Sequence, residues 1–269
     1  MQYENFGTDI RDGAARITLD GSANPNLAEF GDEFLDLMLR LQEDNAVRAI
    51  MICDGEHAFD LQCDYLAVSD EIRTPDGFGN QATWLELSGR MITAVQESAK
   101  PVIMATRGDI RGLGLGLFMS GDVRLASSTA SFTAPDLTKG LMPDWGLTHT
   151  LPRLLSQGRT LEFLWSGRTM AASEAYFAGL IDRVLEDSAY DDIVENLLER
   201  LAGLPQPLLR LTKLATQQSD QFDLTSMLSF EFEAQQQCWD SEESRESLVA
   251  WQENRKPVFH APTTPEEDQ

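Results

Sequence analysis

The sequence predicts an α/β fold with a mainly parallel sheet, followed by a region made only of helices. Strand-like and helix-like segments alternate from Ala14 to Thr106, which is typical of strands joined by crossover helices. The run Arg48–Cys53 is continuously apolar, as expected for a strand covered on both faces. Beyond Pro205 only helical spacing recurs. We therefore expect a core over residues 1–203, a C-terminal helical region over 204–260, and a disordered tail over 261–269.

The first elements follow from periodicity and turn chemistry. Residues Ala14–Leu19 alternate in polarity, as a half-buried strand does, and Asp20–Asn26 is rich in turn formers. Apolar residues then recur at helical spacing from Leu27 to Leu41. After the Arg48–Cys53 strand, the pattern predicts a loop at Thr74–Gly79 and a helix over Ala82–Glu97.

A glycine-rich turn between a strand and a helix is the most distinctive stretch of the chain. The apolar strand Pro101–Thr106 runs into Arg107–Gly116, which contains four glycines in alternation with larger residues. Dense glycines let the backbone turn sharply and leave N–H groups exposed where the next helix starts. Such a helix start attracts negative charge, whether a phosphate, a carboxylate or a reaction oxyanion.

The C-terminal half reads as helices around one more short strand. The three helices beyond Pro205 carry an apolar cluster between Phe222 and Phe232, which we expect to pack on another subunit or domain. Before them, the pattern predicts helices over Leu147–Leu155, Arg159–Ser166 and Ser173–Gly179, a strand over Leu180–Val184, and a helix from Ile193 to Leu201.

Composition excludes several classes of function. The net charge of −23 argues against nucleic-acid binding and against an anionic membrane surface. No apolar run approaches the roughly 20 residues that a membrane span needs. The first residues have neither a basic nor an apolar region of the kind found in secretory leaders, and the odd number of cysteines suits a reducing compartment. We expect a cytoplasmic protein.

Common cofactor and nucleophile motifs are missing from the sequence. The Gly112–Leu117 run lacks the last glycine of a dinucleotide fingerprint and lies in the third strand–helix unit instead of the first. The sequence has no phosphate-binding loop and no Gly-x-Ser-x-Gly elbow. His57, His149 and His260 are scattered without metal-ligand spacing. We therefore expect no metal and no permanently bound cofactor.

Three ordered segments resemble the crotonase superfamily, the enoyl-CoA hydratases and isomerases. They are Ala58–Leu66, Gly108–Asp122 and Pro135–Arg153, and the phrase Asn254–Phe259 is similar to the family's usual ending. The resemblance implies a spiral core of ββα units with a C-terminal helical trimerisation region. It also implies an acyl-CoA substrate, so that coenzyme A enters as part of the substrate, and a homotrimer or a dimer of trimers.

The resemblance also implies an oxyanion site made of two backbone N–H groups. By motif position these belong to Cys63 and Leu113. They would hold the thioester oxygen while an enolate forms, and preorganised donors of this kind are worth roughly 3 kcal/mol each. The side chains Gln62, Cys63 and Leu113 depart from the family's small residues, but a backbone donor tolerates other side chains if φ and ψ are kept.

The acid pattern is closest to that of the dienoyl-CoA isomerases. Hydratases of the family use two glutamates, and the matching positions here are Gly116 and Asp136. Gly116 cannot carry a proton, whereas Asp144 stands where the resemblance to the dienoyl-CoA isomerases implies a catalytic aspartate. The resemblance therefore implies double-bond isomerisation by Asp144 with help from Asp136. Trp145, Gly116 and Trp84 are predicted to line the substrate pocket. Apolar surroundings would raise the pKa of such a carboxylate toward the working pH.

Alternatives remain open at this point. Asp136 and Asp144 could instead cap turns or helices. The turn Asp20–Asn26 lacks the basic residue that often meets the CoA phosphates in the family, which leaves Lys256, with Phe259, as the predicted CoA contacts. One alternative function is CoA-independent hydrolysis of a β-diketone through Asp144 and His149. Another is a non-catalytic protein that binds acyl thioesters.

Overall fold

A computed structural model of the chain describes residues 3–19, 26–55, 59–61 and 77–259, apart from the side chains of 60 and 77–85. The described strands are β1 Phe6–Arg11, β2 Ala14–Leu19, β3 Ala49–Asp54, β4 Asp60–Leu61, β5 Val102–Thr106, β6 Asp109–Gly112, β7 Val123–Ser127, β8 Ser131–Thr133, β9 Thr169–Ala171 and β10 Arg183–Leu185.

The helices of the described residues surround these strands and then continue alone to the C-terminal end. They are α1 Leu27–Glu43, α2 Gly77–Gln96, α3 Leu113–Met119, α4 Leu147–Leu155, α5 Gln157–Ser166, α6 Ala172–Ala178, α7 Tyr190–Ala202, α8 Gln206–Gln218, α9 Leu224–Asp240 and α10 Glu242–Gln252. Short 3₁₀ turns lie at Leu137–Lys139 and Asp187–Ala189. Of these helices, none is long and apolar enough to cross a membrane.

The larger sheet is mainly parallel, as the alternating pattern predicts. Its strand order is β1-β2-β3-β5-β7-β10, and only the β1–β2 pair is antiparallel. The central strand β5 is fully buried, and β3 is buried along its first four residues, which explains their continuous apolar sequences. Strand β1 was not predicted, because only Phe6 of its residues is buried and the rest face water or the sheet edge.

A smaller second sheet carries the chain toward the glycine-rich turn. Its order is β4-β6-β8-β9, with β4–β6 and β6–β8 parallel and β8–β9 antiparallel. Each strand has four residues or fewer, too short for periodicity to show. A large apolar core runs from sheet to sheet and includes Phe34, Ile52, Phe118 and Phe132. A second core lies where α7 packs on the opposite face of the larger sheet.

Several element boundaries differ from the sequence predictions, and three of the differences bear on the fold. The predicted loop Thr74–Gly79 is wrong at its end, since Gly77 already begins α2; the rest of that loop lies outside the described residues. The predicted strand Leu180–Val184 is displaced to β10, Arg183–Leu185, because Leu180 and Ile181 follow the left-handed Gly179 that ends α6. The predicted helix from Ile193 to Leu201 is present and longer, as α7.

The predicted three C-terminal helices are confirmed as α8, α9 and α10. A partly buried ion pair between Lys213 of α8 and Asp122 (Nζ to Oδ2, 2.9 Å) joins α8 to the core. Arg48, just before β3, contacts Glu243 of α10 at 2.7 Å. On α9, by contrast, the side chains of Leu224, Leu228 and Phe232 are exposed. The domain boundary at residue 203 and the disordered tail stay predictions, the tail lying outside the described residues.

The close approach of α3 to the segment before β4 allows no side chain at Gly114. A Cβ there would lie 1.8 Å from the carbonyl oxygen of Phe59, a backbone atom that cannot rotate away. We expect Gly114→Ala to lower the free energy of unfolding by about 3 kcal/mol or more, because overpacking against backbone forces the two segments apart. Urea unfolding measures this directly.

Gly89→Ala is the matched control for that change. Its added Cβ meets no atom within 4 Å, and Gly89 lies inside α2. Alanine in a helix interior is favoured over glycine by roughly 0.5–1 kcal/mol, so this variant is expected to unfold at a higher urea concentration than the wild type. Equal urea midpoints for Gly114→Ala and Gly89→Ala would contradict the close approach of α3 to Phe59.

Candidate active site

Strand β4 and strand β6 end side by side at the glycine-rich turn. Leu61, the last residue of β4, is paired in parallel register with Gly112, the last residue of β6. Leu113 follows Gly112 directly and begins α3. Cys63 follows two residues after Leu61 but lies outside the described residues. The register therefore brings the two chain segments that lead to the predicted oxyanion donors together at one edge of the smaller sheet.

Helix α3 is fixed by apolar burial on every side. All of its residues, Leu113–Met119, are buried. The ring of Phe118 packs on Phe59 with ring centroids 5.1 Å apart in an edge-to-face arrangement, and on Phe132 at 5.9 Å. Because Phe59 stands just before β4, these contacts hold α3 and the start of β4 in one packed unit.

Asp54 is a positioning residue that sequence reasoning missed. Its carboxylate, at the end of β3, accepts hydrogen bonds from the backbone N–H groups of Arg107 (2.8 Å) and Gly108 (2.9 Å) and from the hydroxyl of Thr106 (3.2 Å). These bonds fix the turn between β5 and β6, and hence the course of β6 toward Leu113. The signal in the sequence is an Asp-Gly pair just after an apolar strand, and such a pair is typical only of a turn or loop.

The segment between β8 and α4 makes an unusual turn at the predicted acid. Trp145 has φ of 51° and Gly146 has φ of 75°, so two successive residues are left-handed. A bulky residue with positive φ is rare, and it persists only where surrounding contacts enforce it. The N–H of Leu147 closes the turn on the carbonyl of Asp144 at 3.1 Å. A Cβ on Gly146 would lie 3.6 Å from Ile92, so the turn rests against α2.

Trp145 fills the space beside Gly116. A Cβ built on Gly116 would lie 2.3 Å from the Cβ of Trp145 and 2.8 Å from its carbonyl oxygen. Contacts this short do not occur between real atoms, so the turn as it stands admits no side chain at position 116. Position 116 therefore lacks an acid in the sequence, and the structure also fills the space of such a side chain with the backbone and Cβ of Trp145.

Asp144 is the acid whose environment fits proton transfer. Its side chain is half-buried next to the buried Trp145. Burial disfavours the charged carboxylate and raises the pKa of Asp144 from 3.8 to about 6, although a hydrogen bond from its own backbone N–H works in the other direction. No cationic side chain of the described residues pairs with it. Asp144 can therefore both accept and return a proton near neutral pH.

Asp136 has a different environment. It is exposed and caps the 3₁₀ turn Leu137–Lys139, accepting hydrogen bonds from the N–H (3.0 Å) and the hydroxyl (2.6 Å) of Thr138. These bonds to the charged form hold the pKa of Asp136 below its ordinary value. Asp136 therefore makes the contacts of a capping residue, as one of the sequence alternatives proposed. Its assisting role in catalysis stays a prediction.

The other predicted contact residues are spread along the chain. Lys256 is exposed, and the ring of Phe259 packs under the guanidinium of Arg48 at 4.5 Å. Trp84 lies in α2, but its side chain is outside the described residues. His149 is exposed on α4, and His57 and His260 lie outside the described residues. Across the ranges that the structure describes, no group of three metal-ligating side chains comes together.

Fold and candidate site together describe an α/β protein in which β4 and β6 end side by side at the start of a buried helix, and in which the turn before α4 carries a half-buried acid, Asp144. The family model for enoyl-CoA hydratase/isomerase matches residues 9–262, nearly the whole chain. The chain therefore belongs to the enoyl-CoA hydratase/isomerase family, which confirms the crotonase resemblance.

Relatives and solved structures agree with this assignment. A short-chain-enoyl-CoA hydratase from Clostridium acetobutylicum is 29% identical over 80% of this chain and 81% of its own. A probable enoyl-CoA hydratase from Rhizobium meliloti is 30% identical over 96% and 99%. The crystal structure of an enoyl-CoA hydratase/isomerase from Cupriavidus metallidurans covers all of both chains with a TM-score of 0.84 at 26% identity. The fold is therefore the crotonase fold.

Replacing Gly116 by glutamate tests the contact with Trp145. We expect Gly116→Glu to lower the free energy of unfolding by about 2 kcal/mol or more, since the new side chain collides with the Trp145 turn. In a Trp145→Gly background the Cβ collision is gone while the contact with the backbone carbonyl of residue 145 remains, so the same change is expected to cost less than it does in the wild type. The measurement is the coupling free energy between the two substitutions in a double-mutant cycle of unfolding. Additive changes in the free energy of unfolding would contradict the contact between Trp145 and Gly116.

The raised pKa of Asp144 makes stability depend on pH. Because the folded chain holds this proton up to about pH 6 and the unfolded chain only up to 3.8, the folded state is favoured below pH 3.8 and that contribution disappears as pH rises to 6. Asp144→Asn removes the dependence. We expect the variant to be more stable than the wild type at pH 7 by about 1–2 kcal/mol, below the roughly 3 kcal/mol of a fully buried group.

Asp136→Asn is the control, and its effect has the opposite sign. Asp136 has a lowered pKa, so its contribution is present above the unfolded value and is lost as pH falls. Urea unfolding from pH 3.5 to 8 distinguishes the two variants. Parallel curves for Asp144→Asn and the wild type would show that Asp144 is not buried as described.

Proposed function

We propose that this chain isomerises a carbon–carbon double bond of an acyl-CoA thioester by proton transfer through Asp144. The single observation that carries this proposal is the contact between Trp145 and Gly116, which leaves one acid where a hydratase would use two. The relatives that match the chain carry hydratase names, so the proposal departs from them in the reaction and keeps their substrate class.

Hydration is disfavoured because it needs a held water molecule. A water molecule that adds across a double bond must lose one proton, and the acyl chain must gain one. In the hydratases that the family resemblance describes, two carboxylates hold the water and share these two proton transfers. Gly116 has no side chain, and Trp145 stands in the space where one would project. Asp136 is engaged with Thr138 at the surface. Isomerisation needs only one acid, because the proton that leaves one carbon returns to another.

The proposed reaction moves a proton along the acyl chain. The Asp144 carboxylate removes a proton from C2 of a 3-enoyl thioester, and the electron pair left on C2 spreads to the thioester oxygen as a dienolate. The N–H groups of Leu113 and Cys63 stabilise that oxygen. Protonated Asp144 then returns the proton to C4, which leaves the double bond between C2 and C3. Its pKa of about 6 suits both steps.

Binding of the CoA part is assigned to Lys256 and Phe259 by the resemblance alone. Lys256 is exposed and thus able to meet a phosphate, whereas neighbouring Arg255 is bound to Glu246 (2.9 Å) and Glu253 (2.7 Å). The exposed apolar side chains Leu224, Leu228 and Phe232 support packing of α9 on another subunit, in a homotrimer or a dimer of trimers. A cytoplasmic location also stays a prediction.

Asp144→Asn tests the proposed function. We expect a loss of 10²- to 10⁴-fold in the rate of 3-enoyl-CoA isomerisation, because asparagine cannot carry the proton, with acyl-CoA binding retained. Absorbance of the conjugated product measures the rate, and calorimetry measures binding. For the wild type, kcat/KM is expected to rise with pH through about 6, as the base ionises.

The exposed Asp136 supplies the comparison variant. Asp136→Asn keeps a capping oxygen for Thr138, and because Asp136 is predicted only to assist Asp144, we expect a much smaller loss of rate than in Asp144→Asn. Full turnover by Asp144→Asn would refute the proposal. Failure of the wild type to bind any acyl-CoA at millimolar concentration would favour the diketone alternative, whereas tight binding without product would favour a non-catalytic binder.

A further inference from the structure

The Trp145 side chain carries a polar N–H group that has no hydrogen-bond partner among the described residues. Its indole is 5% exposed, and Nε1 is shielded from solvent. An indole nitrogen can only donate. A buried donor with no acceptor destabilises the folded state, so each such group in a folded chain calls for an explanation.

The backbone at Trp145 adds a second cost at the same residue. A φ of 51° is strained for a bulky side chain, and such conformations collect at ligand-binding sites. Glycine or asparagine adopts this conformation more readily. Packing beside Gly116 explains where the Trp145 Cβ lies, but it does not explain an indole N–H without an acceptor. Two independent features of one residue therefore point to a role in binding.

The position of Trp145 indicates what it meets. It follows Asp144 directly, and its Cβ stands over Gly116 in the first turn of the helix that Leu113 begins. In the proposed reaction the thioester C1 lies at the N–H of Leu113, and Asp144 acts on C2 and C4. The carbons of the acyl chain beyond C4 then lie beside Trp145.

We propose that the Trp145 indole N–H donates a hydrogen bond to an oxygen on the acyl chain beyond C4, so that the substrate is an oxygenated acyl thioester and not a plain hydrocarbon one. The inference rests on the proposed function, since it takes the acyl chain to lie along Asp144. A carbonyl oxygen is the simplest partner, because it only accepts. A site built to donate to such an oxygen discriminates against the chain that lacks it.

Three ligands of one chain length test the proposal. Isothermal calorimetry compares hexanoyl-CoA with 5-oxohexanoyl-CoA and 6-oxohexanoyl-CoA on the wild type and on Trp145→Phe. We expect at least one oxo ligand to bind the wild type about tenfold more tightly than hexanoyl-CoA, and the phenylalanine variant to lose that preference. The matched control is Trp239→Phe, at a 65% exposed tryptophan of α9, which should keep it.

Equal affinities of the three ligands for the wild type, or the same fold-change for all three in Trp145→Phe, would overturn the inference while leaving the proposed isomerisation intact. No binding of any of them to the wild type would overturn both. If Trp145→Phe does not fold, nitrogen-15 spectra of the wild type decide. The sequence has five tryptophans, and phenylalanine variants of the other four assign the Trp145 indole proton. A downfield shift with an oxo ligand but not with hexanoyl-CoA is expected; identical spectra would refute the hydrogen bond.

Discussion

The contact between Trp145 and Gly116 is the constraint on which the candidate site depends. It sets the shape of the Asp144 turn, because a left-handed tryptophan is held there by the helix beneath it. Asp144 precedes Trp145 in this turn and is half-buried, and burial raises the pKa of the acid to about 6. The contact thus leaves no room for an acid at position 116, and the burial of Asp144 sets the pH range in which that acid titrates.

The scaffold around this contact is built for rigidity. Helix α3 is buried on all sides, and Phe118 joins it to the residue before β4. Asp54 fixes the turn that leads into β6 through three hydrogen bonds from residues 106–108. Backbone donors work only if they are held in place before the reaction, because stabilising an oxyanion with mobile groups loses the benefit of preorganisation. The contacts of the buried core therefore supply the order that the donors need.

Much of the fold could be predicted from the sequence, since buried strands and long amphipathic helices leave clear periodic patterns. Strand β1 and the strands of the smaller sheet escaped, because a strand of two to four residues, or one with a single buried side chain, has no measurable period. At the site, motif position identified Gly116 and Asp144. It did not reveal that Trp145 occupies the place of the missing acid, since that depends on a backbone angle and a contact across 29 residues of chain.

Oxygen-18 labelling tests the central claim, that one acid moves a proton without adding water. The wild type would be incubated with a 3-enoyl-CoA in H₂¹⁸O, and the acyl products would be weighed by mass spectrometry. We expect a 2-enoyl-CoA of the same mass as the substrate, with no label in the chain. A product heavier by the mass of labelled water, carrying oxygen-18 as a hydroxyl on C3, would show that the site hydrates its substrate and would contradict the role assigned to Trp145, Gly116 and Asp144.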